Sequence, residues 1–329
     1  MKQNIRNELL ELIDAERISK ENIDEVLDVS EAYSTTNEFL NFLKIVLVWL
    51  GATALVLALL FFMAFNWYEL GRISKFMMIE AIMATLIIFY IFLDNYKFIQ
   101  QVLLMILTVA LGILLALIGQ TYQTGADPWQ LFAFWALFMT PWAVVARFSG
   151  IWLLWIVLLN LSTILYYQKF DLSILMFSRG VDELVLLIFA LNSFLWIIWA
   201  LLSKKYSAFQ DRFIINILAF LSFFTISTLF IKTFDLSFHF NALNKWFPLL
   251  YIVFMASIYY LYRVRTLNIY MMSLYALSLF LVSLNILIPF IIMALASNII
   301  LLLLSLLVLI VGLTILMVSW LKSLKRSSK

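Results

Sequence analysis

Apolar residues run along this chain in long unbroken blocks separated by short polar stretches, and the length of the blocks decides how they fold. A hydrocarbon core about 30 Å thick needs around 20 apolar residues in a helix. Blocks that meet or approach this length cover 45–65, 76–93, 98–119, 129–146 and 150–167, then 184–202, 213–231, 247–262, 267–287 and 290–321. They predict an all-α fold: a polytopic transmembrane helical bundle of about ten spans. The 247–262 block is the shortest. The last block suits either one tilted helix or a short re-entrant piece before a span that starts near Ser297. Pro289 separates it from the ninth and suits the first turn of a helix. No internal repeat relates the two halves.

Composition sharpens this picture. Of 329 residues, 65% are hydrophobic and only 12% are charged, against roughly 45–50% and 25% in soluble domains. Too few polar residues remain to cover a soluble surface, so the excess must face lipid. Cysteine is absent and His239 is the single histidine, which excludes disulfides, thiol redox chemistry and zinc or haem held by paired His or Cys. No metal or cofactor is therefore expected. A net charge of +3 makes no case for nucleic acid. Residues 1–44 are polar and unlike a signal peptide, so the first apolar helix is expected to insert uncleaved.

The placement of the bases sets the orientation. With ten spans, one side carries Lys2, Arg6, Arg17, Lys20, Lys44, Lys97, Arg147, Lys204, Lys205, Arg212, Arg263, Arg265 and the four bases of the tail. The other side carries Arg72, Lys75, Lys169, Arg179, Lys232 and Lys245. The excess places both termini in the cytosol. Three parts follow: an acidic helical cytosolic segment, 1–44; a transmembrane domain, 45–321; and a basic cytosolic tail, 322–329. The outward loops hold Glu69, Asp127, Asp171, Asp182, Glu183 and Asp235, with Trp67, Tyr68, Tyr122, Trp129 and Trp246 nearby. Aromatic residues there suit the headgroup zone.

The first 44 residues hold ten acids and five bases. Ile5, Leu9, Leu12 and Ile13 form one helical stripe; Ser19 can cap a second helix faced by Ile23, Val26 and Leu27. Two short helices bury too little surface to stand alone. They are expected to dock on the basic cytosolic face, to stay as a solvated pair, or to bind a cytosolic or membrane protein partner.

Glu80 is the one acid read inside a span, about 6 Å from its outer end. Such a residue is a candidate for a proton or cation pathway, or it reaches the interface. Asn160, Asn192, Asn216, Asn285 and Asn298, with Gln100, Gln101 and Gln120, read mainly as hydrogen-bonding glue between helices. Gly112, Ala116 and Gly119, like Gly51, Ala54 and Ala58, read as close-packing faces. The richest stretch is Gly119-Gln120-Thr121-Tyr122-Gln123-Thr124-Gly125-Ala126-Asp127-Pro128-Trp129, a dense polar loop between two apolar spans. Asp127 can cap the following helix, with Pro128 at its first position. Asn66, Glu80, Gln120, Tyr122, Gln123 and Asp127 together form a candidate outward-facing polar site.

Phe65-Asn66-Trp67, the loop around Gln120, Tyr122 and Asp127, and the run Leu131-Phe132, Trp135-Ala136-Leu137 and Pro141 resemble one family. It is the group of prokaryotic predicted membrane proteins called domain of unknown function 2157. The start is also similar, with Ile18-Ser19-Lys20-Glu21 at a helical turn. The resemblance covers about residues 1–150. It implies a bacterial cytoplasmic (inner) membrane location and no particular activity. The family pattern has an acid after the Asn-Trp pair, where Tyr68 stands here.

Three functions fit. The first is a transporter or flippase-like protein entered through the outward polar site. The second is a membrane enzyme on a lipid-linked substrate, using Asp127, Glu69 or Glu80. The third is a non-catalytic sensor or partner subunit working through residues 1–44. Transport leads because acids in membranes mark pathways. No nucleophile motif, metal cluster or phosphate loop supports an enzyme, and no residue is assigned as catalytic.

Overall fold

The computed structural model describes residues 36–65, 69–123, 125–170, 181–233, 246–295 and 297–326. Ten long helices follow one another among them. They are α1 (Thr36–Phe65), α2 (Arg72–Phe92), α3 (Lys97–Tyr122), α4 (Pro128–Ala146), α5 (Ser149–Lys169) and α6 (Val181–Leu202). Then come α7 (Arg212–Thr233), α8 (Phe247–Tyr259), α9 (Ile269–Leu295) and α10 (Ile299–Arg326). A 3-10 turn, Ser207–Phe209, precedes α7, and a π turn, Tyr260–Arg265, extends α8. Nine of these helices, with α8 and its π turn taken together, are long and apolar enough to cross a bilayer. In α1 the apolar stretch is Phe39–Leu55. The fold is a helical membrane bundle, as the apolar blocks require.

Three boundaries differ from the sequence reading. Pro289 does not open the last helix; it lies inside α9. Its ring denies one bond to the carbonyl of Asn285, a loss that membrane helices tolerate where neighbouring groups satisfy the freed carbonyl. The chain breaks only after Leu295, and Asn298 starts α10. The Asn298 Oδ1 accepts the Leu301 N–H at 3.2 Å, and its carbonyl accepts that of Leu302 at 2.9 Å. Asn298 is thus a cap and not glue between helices. The shortest block gains its length from the π turn, giving an apolar span from Phe247 to Arg265. Last, α2 begins at Arg72, so Glu80 stands about 12 Å along the helix at 1.5 Å per residue, about two turns past its start.

The chain forms two compact units, residues 1–78 and 79–329. In the first, α1 exposes Phe39, Phe42 and Phe61, as a helix facing lipid must. Among the described residues nothing lies within 4 Å of a Cβ built on Gly51. In the second unit α7 is central, touching α5, α6, α8 and α9. Half of its span is buried, against none of the α10 span. Ile214, Leu218, Ala219, Ile226 and Leu229 of α7 are fully buried.

Several polar groups inside the second unit are bonded in ways that suit lipid surroundings. Thr108, Ser222 and Thr225 return their hydroxyls to carbonyls one turn back. Asn160 of α5 and Asn192 of α6 exchange amide hydrogen bonds, at 3.2 and 2.7 Å, confirming them as interhelical glue. Ser278 of α9 joins Ser227 of α7 at 2.7 Å and the Tyr251 hydroxyl of α8 at 2.9 Å. Gly112 makes the one verified close approach of its face: an added Cβ would sit 2.4 Å from the Trp135 ring, whose indole N–H donates to the Thr108 carbonyl at 2.9 Å.

Candidate functional site

The polar loop after α3 forms a corner. Helix α3 ends at Tyr122, and Gln123 takes a left-handed conformation, φ 44°, that turns the chain outward. Gly125, at φ 64°, completes the reversal; side chains rarely adopt that conformation. Asp127 and Pro128 then open α4 in a capping box with Gln130, whose Oε1 accepts the Asp127 N–H at 3.2 Å. The expected capping role of Asp127 is thereby met. Its carboxylate also pairs with Lys169 at the end of α5, at 3.1 Å.

Beside this corner lies a cavity of about 710 Å³ between α3 and α4. Gln120, Gln123, Asp127 and Gln130 line one part of it. Leu115, Ile118, Leu131 and Phe134 form the apolar remainder. Ala116 and Gly119 also face it, and a Cβ on Gly119 would meet nothing within 4 Å. Gly119 therefore makes room for the cavity and is not pressed against a neighbouring helix.

The candidate polar site is brought together only in part. Gln120, Gln123 and Asp127 converge on the cavity. Tyr122 is exposed and does not line it. Glu80 is exposed on α2 and is also absent from the lining. Asn66 lies outside the described residues, as do Trp67, Tyr68, His239 and residues 1–35.

Two residues escaped the sequence reading. Gln130 is a lining residue whose signal was its spacing of three from Asp127, the signature of a capping box. Glu183, read as a loop acid, is only 6% exposed in the first turn of α6. The Tyr167 hydroxyl donates to it at 3.4 Å, and the positive end of α6 favours its charge. Neighbouring Asp182 pairs with Lys232 at 2.8 Å. Trp129 packs edge-on against Tyr166, with ring centroids 5.0 Å apart, and fixes the start of α4 on the end of α5.

The cavity's polar edge is built for hydrogen bonding. Three amides offer donors and acceptors, and the single carboxylate is already held by a cap and a lysine. No second carboxylate or nucleophile–base pair lines the cavity. Among the described residues no three His, Cys, Asp or Glu side chains gather as metal ligands.

Residues 10–152 match the family of predicted membrane proteins, DUF2157. The match agrees in extent with the resemblance read from the motifs. The DUF2157 region contains the whole cavity, since every residue lining it falls between Leu115 and Phe134. Helices α6 to α10 lie beyond it. No curated protein and no solved structure matches the chain.

Proposed function

We propose that this membrane protein binds an amphiphile, a lipid or a lipid-linked molecule, at the cavity between α3 and α4 and assists its passage between leaflets, a flippase-like role. The observation that carries this reading is the convergence of Gln120, Gln123, Asp127 and Gln130 on one edge of an otherwise apolar cavity. In lipid, acyl tails gain little from an apolar wall, because the surrounding tails are equally apolar. Selectivity must then come from the polar edge, where each interhelical-type hydrogen bond is worth about 0.6–2 kcal/mol. Amides suit hydroxyl-rich or neutral headgroups better than bare ions. An ion-coupled pump is less well supported, because Glu80 stands apart from the cavity. The charge distribution supports an outward-facing cavity, with both termini in the cytosol of a bacterial cell.

The test is reconstitution in vesicles holding fluorescent lipids with a sugar headgroup or a choline headgroup, read by chemical quenching of the outer leaflet. The protein is expected to speed loss of the inner-leaflet signal for the sugar lipid. Gln120→Leu with Gln123→Leu should remove most of that acceleration. Rates equal to those of protein-free vesicles, or full activity in the double variant, would overturn the proposal.

A further inference from the structure

A second concavity, of about 520 Å³, opens at the other end of α3. Lys97 begins α3 and Arg147 ends α4, and both line it. Among the described residues neither cation has an ion pair or a side-chain hydrogen bond. Lys97 sits at the positive end of its own helix, where a base is disfavoured and an anion is welcome. No acid offsets it in the first turn of α3. Arg147 takes a left-handed conformation, φ 47°, that side chains rarely adopt.

The walls between these charges are braced. The Gln100 amide donates to the Tyr90 carbonyl of α2 at 3.0 Å, and the Gln101 amide donates to the Ala146 carbonyl of α4 at 3.3 Å. Each amide keeps a further N–H free to donate. Among the described residues of the second unit, two acids share this end. Asp211 is engaged by the Ser149 hydroxyl and the Phe213 N–H, and Asp94 is exposed and does not line the concavity. Below the cations the lining turns apolar, with Leu104, Val144 and Val145.

We infer that Lys97 and Arg147, with Gln100 and Gln101 between them, form a binding site for a phosphate group, and that the apolar wall below selects an anionic phospholipid over free phosphate. The site is independent of the amide-lined cavity at the opposite end of α3, and its test does not depend on transport.

The test measures thermal unfolding of the full chain in nanodiscs of phosphatidylcholine, with and without phosphatidylglycerol. Phosphatidylglycerol is expected to raise the Tm of the unaltered protein, as any ligand of the folded state does. Lys97→Gln with Arg147→Gln should lose most of this rise while unfolding normally in phosphatidylcholine, and Lys97→Arg should keep it. Lys204→Gln with Lys205→Gln, charges at the same end but outside the concavity, should also keep it. Equal loss in both double variants, or no rise at all, would overturn the site. A rise produced by inorganic phosphate in phosphatidylcholine discs, with none from phosphatidylglycerol, would overturn the lipid assignment.

Discussion

Single residues do different work in this bundle according to what stands within a few ångströms of them. Gly112 and Gly119 share one face of α3, yet only Gly112 is pressed by a ring. Gly112→Ala is expected to destabilise the protein by about 1–3 kcal/mol, because Trp135 is held by its own hydrogen bond and yields little. Gly119→Ala should instead be neutral or stabilising by up to about 1 kcal/mol, since alanine suits a helix better than glycine. Gly119→Leu should fold normally and impair lipid passage by filling the cavity. Unfolding in detergent, read beside the vesicle assay, separates the three. The sequence marked both glycines as small but carried nothing about their partners. The same blindness applies to acids: Glu80 drew notice by its depth in an apolar block, whereas Glu183 looked like a loop residue. Burial depends on neighbours from other helices, and no local pattern records them.

At the scale of helices, apolar blocks located all ten, while the ends depended on caps. Asn298 and Asn268 each receive an N–H three residues ahead, at 3.2 and 3.3 Å, and so open α10 and α9. Pro289 misled because proline marks helix starts in water more reliably than in membranes. The Asn160–Asn192 pair shows what a polar residue inside a span can do without chemistry. Asn160→Leu should cost about 1–2 kcal/mol by leaving the fully buried Asn192 amide short of a partner. Asn160→Leu with Asn192→Leu should recover part of that loss, and a double-mutant cycle of unfolding free energies measures the coupling. Arg147→Gly is expected to raise stability in phosphatidylcholine by up to about 1 kcal/mol, through relief of the left-handed strain. It should also weaken the response to anionic lipid.

For the molecule as a whole, composition alone settled the solvent, because a chain with 65% hydrophobic residues and 12% charged ones has no soluble alternative. The candidate site was half legible. Gln120, Gln123 and Asp127 belong to one loop and stay together in space, but joining them to Glu80 required knowledge of helix placement. Reporters fused to the two termini should appear on the same side of the membrane, in keeping with the distribution of Lys and Arg. The second unit is also fastened differently at its two ends. Ion pairs Asp127–Lys169 and Asp182–Lys232 join α4 to α5 and α6 to α7 at one end. Trp152, Trp155, Trp199 and Phe209 interlock at the other, with Trp152 and Trp199 edge to face at 4.7 Å. Salt weakens charges and leaves packed rings alone. Among the described residues ion pairs fasten only the first of these ends, where they stand beside the Trp129–Tyr166 ring contact. Added electrolyte should weaken that end by no more than about 1 kcal/mol per pair and leave the interlocked rings of the other untouched.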